Sequence, residues 1–188
     1  MPLSEPPSWQ RRDGRVRLTC HIEPTFPRHR AQDLGADLKL SDDHDLVIEN
    51  GDLAMVSGVE ALPQLLKICL SGRKGEWFLD PNHGSRLAEY CELYAGSPWL
   101  DKLLTLEVIR NAAIPEYDDL HKQEYTPPAC VERVFEFKLL QTPKLGEWNK
   151  ARVDLAVKGI GRWSKDLDID LPEKGEKVEP PSAWDELL

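Results

Sequence analysis

The sequence predicts a small mixed α+β domain with an N-terminal β-hairpin, two main helices and a C-terminal β-hairpin, flanked by extended arms. Three observations carry this prediction: an Asn50-Gly51 turn between apolar runs, apolar residues at helical spacing in two later segments, and alternating residues near the C-terminus. The length of 188 residues suits one ordinary domain. We therefore expect a domain at residues 36–160, between an arm (1–35) and a tail (161–188).

The arm is basic and rich in proline. It contains six arginines and five prolines but shows little apolar periodicity. A segment of this composition buries too little apolar surface to fold alone, so we expect an extended arm that orders when it binds a partner. The first part of the predicted domain, here called the body (residues 36–160), is acidic instead, so a partner can recognise the arm and the body separately. The candidate partner-binding side chains of the arm are Arg11, Arg12, Arg15 and Arg17.

The first predicted elements of the body are a hairpin and a helix. The apolar runs 46–48 and 53–56 flank the Asn-Gly turn, whose two residues readily adopt positive φ angles. A helix then begins either at a capping box headed by Ser57 or, after a looser turn, at Pro63. It ends near Gly72.

A second helix is predicted between Ser97, which can cap it, and Pro115, which ends it. Apolar residues recur along one side of this segment at helical spacing. We expect that stripe to be buried against the sheet. Its members are Trp99, Leu103, Leu106, Ile109 and Ala113.

The stretches 131–140 and 148–157 alternate with the two-residue period of half-buried strands and predict a C-terminal hairpin. We expect its apolar face to pack on the helices through Phe135, Phe137, Val153 and Leu155. A hairpin leaves an edge whose unpaired backbone groups can accept a strand from another chain or donate one to it, unless the protein's own tail shields that edge. The candidate edge-facing positions are Glu136 and Asp154. From about Lys165 the sequence turns acidic and is predicted to be a tail.

The segment 72–87 joins the two helices and is explained by neither composition nor periodicity. Glycines bracket bulky apolar residues that are interleaved with charged ones, a pattern typical of a folded loop that presents polar groups. We expect Arg86 to form an ion pair with Glu76 or Asp80, because charged groups among aromatic residues are costly to leave unpaired. The candidate partner-binding residues of the loop are Gly75, Glu76, Trp77, Asp80, Pro81, Gly84 and Arg86.

The order of these parts resembles the small baseplate wedge proteins and sheath initiators of contractile phage tails. The likeness runs from the hairpin at 45–56 through 58–60 into a helix at 64–70. It continues in the loop at Gly75, Glu76, Trp77, Asp80, Pro81 and Gly84, and the step at 84–87 is similar to the Mu-type branch. The resemblance covers about residues 37–158, and neither terminal segment has a counterpart in it.

This resemblance implies a structural component of the tail baseplate, assembled in the host cytoplasm and present in several copies per baseplate ring. Such a protein joins the wedge and hub proteins to the first ring of the tail sheath and nucleates sheath assembly. The resemblance implies that the loop contacts the wedge proteins, whereas the C-terminal hairpin contacts sheath subunits. It implies no cofactor and no catalytic residues.

Two other functions remain open. Glu76 and Asp80 could serve as the carboxylate pair of a lysozyme-like enzyme that cleaves peptidoglycan, which requires a separation of about 5–10 Å in a sugar-binding cleft. The chain could also be an unrelated adaptor. Nucleic acid is disfavoured because the net charge is -9. Long apolar runs, paired metal ligands and paired cysteines are missing from the sequence, so we expect no membrane segment, no metal site and reduced thiols.

Overall fold

The structure, a computed structural model, describes residues 6–19, 28–41, 43–76, 83–118 and 122–174. In these residues the helices are α1 (Leu62–Ser71), α2 (Leu87–Leu93) and α3 (Leu100–Ala113). Short 3₁₀ turns lie at Ala31–Asp33 and Gly58–Ala61. The strands are β1 (Ser8–Arg12), β2 (Arg15–Thr19), β3 (Asp37–Leu38), β4 (Ile48–Glu49), β5 (Asp52–Leu53), β6 (Met55–Val56), β7 (Glu116–Asp118), β8 (Gln123–Tyr125), β9 (Val131–Leu139), β10 (Trp148–Val157) and β11 (Gly161–Asp170).

All strand pairs in the described residues are antiparallel, and they form several small sheets. The largest has three strands in the order β11-β10-β9, so β10 is central. The pairs β1-β2, β3-β6, β4-β5 and β7-β8 form two-stranded sheets. The predicted mixed α+β class is therefore confirmed.

The hydrophobic core lies between the helices and one face of the three-stranded sheet. α3 packs on β9, and α1 packs on β11. Phe137, Val153 and Leu155 are fully buried as predicted, but Phe135 is 40% exposed. The pairing of β9 with β10 shifts at this point, so Phe135 is the extra residue of a bulge and leaves the buried face. Among the described helices, none is both long enough and apolar enough to cross a membrane.

The hairpin and the first helix form where the sequence predicts them. Asn50 and Gly51 have φ angles of 55° and 88° and connect β4 to β5, as expected for a tight two-residue turn. The regular helix α1 starts at Leu62 with Pro63 in its first turn, after the 3₁₀ turn Gly58–Ala61. This confirms the looser turn predicted before Pro63. The physical reason is that proline has no N–H to donate to an earlier carbonyl.

The predicted buried stripe of the second helix is wrong. The residues of α3 that are buried are Leu104, Glu107, Val108, Asn111 and Ala112. The predicted stripe instead contains Trp99, Leu106 and Ile109, which are 69%, 56% and 38% exposed. Apolar residues occupy two sides of this helix, so periodicity alone could not indicate which side faces the sheet. The short helix α2 was not predicted at all.

The boundary expected at residue 161 does not match the structure, because β11 continues the sheet beyond it. Leu167, Ile169 and Leu171 are buried in the core, and β11 pairs with β10 along its whole length. The alternate residues Asp166 and Asp168 lie on the other face, which made this strand resemble an acidic tail. The rest of the predicted tail, from residue 175, lies outside the described residues.

The segment predicted as an extended arm contains a hairpin and part of the body. β1 and β2 pair as a hairpin on which Trp9 and Val16 are about two-thirds exposed. Farther along, Ala31 is fully buried in the core, and its N–H donates to the carbonyl of Lys158 over 2.9 Å. The Arg28 side chain also donates to Thr126 Oγ1 over 2.8 Å. Residues 28–34 therefore pack with the domain in this structure.

Candidate interaction sites at the loop and the sheet edge

The base of the 72–87 loop consists of two short segments that run side by side. The N–H of Ser85 donates to the carbonyl of Gly72 over 2.7 Å, and the N–H of Lys74 donates to the carbonyl of Ser85 over 3.0 Å. Arg73 and Ser85 form a parallel bridge between the segments. The two ends of the loop are thus fixed to each other just after α1 and just before α2.

Gly84 is required at this base for a steric reason. Its φ of +94° is a conformation that residues with a Cβ rarely adopt. A Cβ added there would lie 2.6 Å from the carbonyl oxygen of Gly72, which is too close for any real contact. Gly75 also has a positive φ of +87°, but a Cβ added there would meet no atom within 4 Å. Close backbone approach therefore explains Gly84, whereas Gly75 is explained by its turn conformation.

Ser85 ties this base to the end of α1. Its side chain is buried, and its hydroxyl donates to the carbonyl of Leu70 over 2.7 Å. The same oxygen accepts the N–H of Leu87 over 3.3 Å, at the start of α2. One serine therefore satisfies backbone groups at the ends of two helices, which are the groups that helices leave unpaired.

A buried ion pair on α3 supports the loop from below. Glu107 is 1% exposed and accepts the N–H of Arg86 over 2.9 Å. It also accepts two hydrogen bonds from Arg110 Nε at 3.0 Å and one from Nη2 at 2.7 Å. Arg110 Nη2 reaches the carbonyl of Gly84 at 3.3 Å. Burial alone lowers the pKa of Arg110, but hydrogen bonding to Glu107 and its charge outweigh this effect and raise the pKa.

Sequence reasoning missed this ion pair. A glutamate and an arginine three residues apart usually form an exposed helical pair, and the predicted buried stripe lay on the other side of the helix. The signal was present in the pattern Leu104, Val108 and Ala112, an equally good apolar series that places Glu107 beside it. A charged residue beside a buried series indicates a buried partner, because an unpaired charge is costly there.

The structure does not pair the loop residues as predicted. Among the described carboxylates, the one that contacts the Arg86 side chain is Glu89, at 3.9 Å, and both side chains are about half exposed. Glu76, the last described residue in the first half of the loop, is exposed. The expected Arg86–Glu76 pair is therefore absent. Trp77, Asp80 and Pro81 lie outside the described residues, so an Arg86–Asp80 pair stays a prediction.

Cross-strand ion pairs cover the outer face of the three-stranded sheet. Arg162 Nη2 contacts Asp154 Oδ2 at 2.5 Å, and Arg152 Nε contacts Asp166 Oδ1 at 2.7 Å. Hydrogen bonds from these guanidinium groups lower the pKa of both aspartates below the ordinary value of 3.8. The Arg162 guanidinium also lies 5.0 Å from the centre of the exposed Phe135 ring. This face is therefore a charged surface held by ion pairs, with Phe135 exposed beside them.

Neither candidate edge position lies at a free edge. Asp154 is on β10, which pairs on both sides. On β9, the N–H of Phe137 donates to Thr105 Oγ1 over 3.2 Å, and that hydroxyl donates to the Phe137 carbonyl over 2.9 Å. Thr105 of α3 thus closes the outer edge of β9 at this point. Because backbone groups alternate along a strand, those of Glu136 are directed toward β10.

The edge of β11 borders a cleft of about 370 Å³. The N–H of Asp170 donates to Ser71 Oγ on α1, on the side away from β10. By the alternation along a strand, the backbone groups of Asp168 and Asp166 are directed the same way. The cleft separates this edge from the start of α1 and from residues 39–41. Its lining residues are Lys39, Leu40, Ser41, Val56, Glu60, Pro63, Gln64, Lys67, Lys165, Asp166, Leu167 and Asp168.

Metal and thiol chemistry is not apparent in the described part of the chain. Within it, no group of three or more His, Cys, Asp or Glu side chains could hold a metal ion. Cys69, Cys91 and Cys130 are free and buried, and Cys20 lies outside the described residues. The lysozyme-like hypothesis requires a particular distance between the carboxylates of Glu76 and Asp80. Asp80 lies outside the described residues, so this distance stays a prediction.

Comparison with known proteins identifies one similarity. Residues 36–121 match the model of a protein family described as contractile injection system sheath initiator. The search of curated proteins and the search of solved structures each found no match. The family match confirms the predicted resemblance over the hairpin, α1, the loop, α2 and α3. It ends before β9, so the resemblance expected for residues 122–158 stays a prediction.

Proposed function

We propose that this chain, through the sheath-initiator segment 36–121, joins the wedge and hub proteins of a contractile tail baseplate to the first sheath ring. The match to a sheath-initiator family supports a role in initiating sheath assembly. That family is structural, which supports a non-enzymatic function. The chain acts as a template with two contact regions: the loop supported by α3, and the free edge of β11.

The loop contacts the wedge proteins. Its two ends are held together by backbone hydrogen bonds, by Ser85 and by the Glu107–Arg110 pair, which supports a role for this loop as a contact site. Binding residues are commonly placed on loops that a rigid scaffold positions. Trp77, Asp80 and Pro81 are the contact residues at the centre of this loop, and Glu76 and Arg86 flank them. The exposed arginines Arg11 and Arg12, with Arg15 and Arg17, add a basic contact on the β1-β2 hairpin.

The free edge of β11 accepts an extended segment of a sheath subunit. In the described residues β11 pairs with β10 alone, and its other edge borders the cleft. An added strand would hydrogen-bond to the outward backbone groups of Asp166 and Asp168. Leu40, Val56 and Leu167 offer the inserted segment apolar contacts, and charged and polar side chains form most of the remaining lining. An extended peptide that alternates apolar and charged residues fits this lining.

A proline at Asp168 tests strand addition. The Asp168 N–H is directed outward, so Asp168→Pro removes a donor to the incoming strand while the pairs with β10 stay intact. Asp168→Ala is the matched control, since it removes the same carboxylate but keeps the N–H. We expect Asp168→Pro to bind the sheath protein of the same particle at least about tenfold more weakly, as one lost backbone hydrogen bond and an obstructed edge predict. Asp168→Ala should bind nearly as well as the unmodified chain.

The measurement is co-sedimentation of the purified full chain with sheath subunits, alongside circular dichroism and thermal melting of each variant. If Asp168→Pro keeps its fold and still binds sheath as tightly as Asp168→Ala, strand addition at β11 is not the mechanism. Asp154→Pro is unsuitable for this test because β10 is paired on both sides. Glu136→Pro is unsuitable because its N–H is directed toward β10.

A further inference from the structure

One wall of the cleft is an extended segment whose backbone groups are directed to two sides. The N–H of Lys39 donates to the carbonyl of Ala54 over 2.9 Å, and its carbonyl accepts the N–H of Val47 over 3.0 Å. Because backbone groups alternate along an extended segment, those of Leu38 and Leu40 are directed away from these two partners. The Leu38 carbonyl and the Leu40 N–H therefore need partners on the other side, where α1 begins.

The side chain of Gln64, in the first turn of α1, satisfies both of these backbone groups. Its Oε1 accepts the N–H of Leu40 over 2.8 Å, and its Nε2 donates to the carbonyl of Leu38 over 2.7 Å. One carboxamide thus supplies an acceptor and a donor, which are the two groups that a residue of a neighbouring strand supplies. Gln64 and Leu40 both line the cleft. The side chain therefore occupies the position of a backbone peptide group along this wall.

Other helix side chains close strand edges in the described residues, but outside the cleft. On β9, the Thr105 hydroxyl hydrogen-bonds to the N–H and the carbonyl of Phe137. On β11, Ser71 Oγ accepts the N–H of Asp170 over 3.0 Å. Neither Thr105 nor Ser71 belongs to the described lining of the cleft, whereas Gln64 does. Gln64 thus closes an edge in the space that an added strand would enter.

We propose that the sheath segment that pairs with β11 also displaces the carboxamide of Gln64 and replaces its hydrogen bonds to Leu38 and Leu40. The added strand then bonds to both walls of the cleft and joins β11 to the segment that carries β3. Water solvates the released carboxamide. The contacts of Gln64 must break before the strand enters, so this residue weakens sheath binding. The inference rests on the proposed strand addition at β11 and adds a second wall to that site.

Gln64→Met tests the displacement, because methionine keeps the length and helix propensity of glutamine but has no amide. The free variant should melt at a lower temperature, since the backbone groups of Leu38 and Leu40 lose their partner. It should nevertheless bind the purified sheath protein of the same particle about tenfold more tightly, because two hydrogen bonds no longer compete with the strand. Gln64→Asn, whose amide is one methylene too short to reach both groups, should change both quantities in the same direction.

Ser71→Ala is the matched control. It removes a side chain of the same helix that closes a strand edge, but this contact lies outside the cleft and persists in the complex. Its melting temperature should also fall, whereas its affinity for sheath should stay within about twofold of that of the unmodified chain. Equal tightening in Ser71→Ala and Gln64→Met would assign the effect to a looser α1 and would overturn the inference.

Co-sedimentation of the full chain with sheath protein gives the affinities, and amide hydrogen exchange gives a second readout. Without sheath, the Leu40 amide should exchange faster in Gln64→Met than in the unmodified chain, and bound sheath should restore its protection. If Gln64→Met binds no more tightly than the unmodified chain, the Gln64 contacts persist in the complex and the inference is wrong. A Leu40 amide that stays unprotected in the complex would reject it as well.

The variants of Asp168 separate this failure from that of the proposed function. If Asp168→Pro and Asp168→Ala bind sheath equally well, strand addition at β11 fails and this inference fails with it. If Asp168→Pro weakens binding while Gln64→Met leaves it unchanged, strand addition stands and only the contact with Leu38 and Leu40 is rejected.

Discussion

Replacing Glu107 with glutamine should weaken the whole domain, because this side chain supports the loop from inside the protein. Glu107 is 1% exposed, and its partner Arg110 is 21% exposed. Removing one member of a buried ion pair costs about 3–5 kcal/mol, since the other charge is left uncompensated. Water can partly reach Arg110, and glutamine can still accept the N–H of Arg86. We therefore expect the lower end, about 3 kcal/mol, which lowers the melting temperature by roughly 6–12 °C for a chain of this size.

A double-mutant cycle separates this pair from general damage to the core. The four proteins are the unmodified chain, Glu107→Gln, Arg110→Met and the double variant, and urea unfolding followed by circular dichroism gives their free energies of unfolding. The coupling energy should be about 2 kcal/mol, because the double variant leaves no unpaired charge. The exposed pair Arg86–Glu89 is the matched control and should couple by less than about 0.5 kcal/mol. A Glu107–Arg110 coupling as small as that of the control would refute the reasoning.

Three further outcomes are expected. Thermal melting should show that Gly84→Ala lowers the free energy of unfolding by about 2 kcal/mol or more, because the added Cβ clashes with the backbone of Gly72. Gly75→Ala should lower it by about 1 kcal/mol, from the positive φ alone. Equal losses in the two variants would contradict the steric explanation. The lowered pKa values of Asp154 and Asp166 contribute stability that is present above their ordinary value of 3.8 and is lost as the pH falls through the lowered values. When both aspartates are replaced by asparagine, the free energy of unfolding should therefore fall less steeply with decreasing pH below about pH 4. If the variant loses stability as steeply as the unmodified chain, these two aspartates do not cause the acid sensitivity. Amides of residues 8–19 should exchange with solvent faster than those of α3 in the free chain, and partner binding through the hairpin should weaken with salt; equal protection in the free chain would show that the hairpin is already fixed.

The sequence predicted well those features that depend on neighbouring residues. The turn at Asn50 and Gly51 and the start of α1 next to Pro63 follow from local backbone preferences, and the structure shows both. The importance of Gly84 was also visible in the loop pattern, although its steric reason was not. That reason is the approach of Gly72, which lies on a different segment.

By itself, the sequence determined the mixed fold class, the family resemblance and the local turns, because these depend on short-range spacing and on the order of motifs. Only the tertiary structure decided which side of α3 is buried, since Leu104 and Leu106 belong to two apolar series of similar strength and the sheet covers one of them. It also decided that residues 161–170 form a strand. Although this segment is acidic, its backbone hydrogen-bonds to β10 along its whole length, so it becomes the edge strand of the sheet. The contact between the Glu107–Arg110 pair and the loop was also decided by the tertiary structure. This charged pair is buried only because long-range packing places the base of the loop over that side of α3.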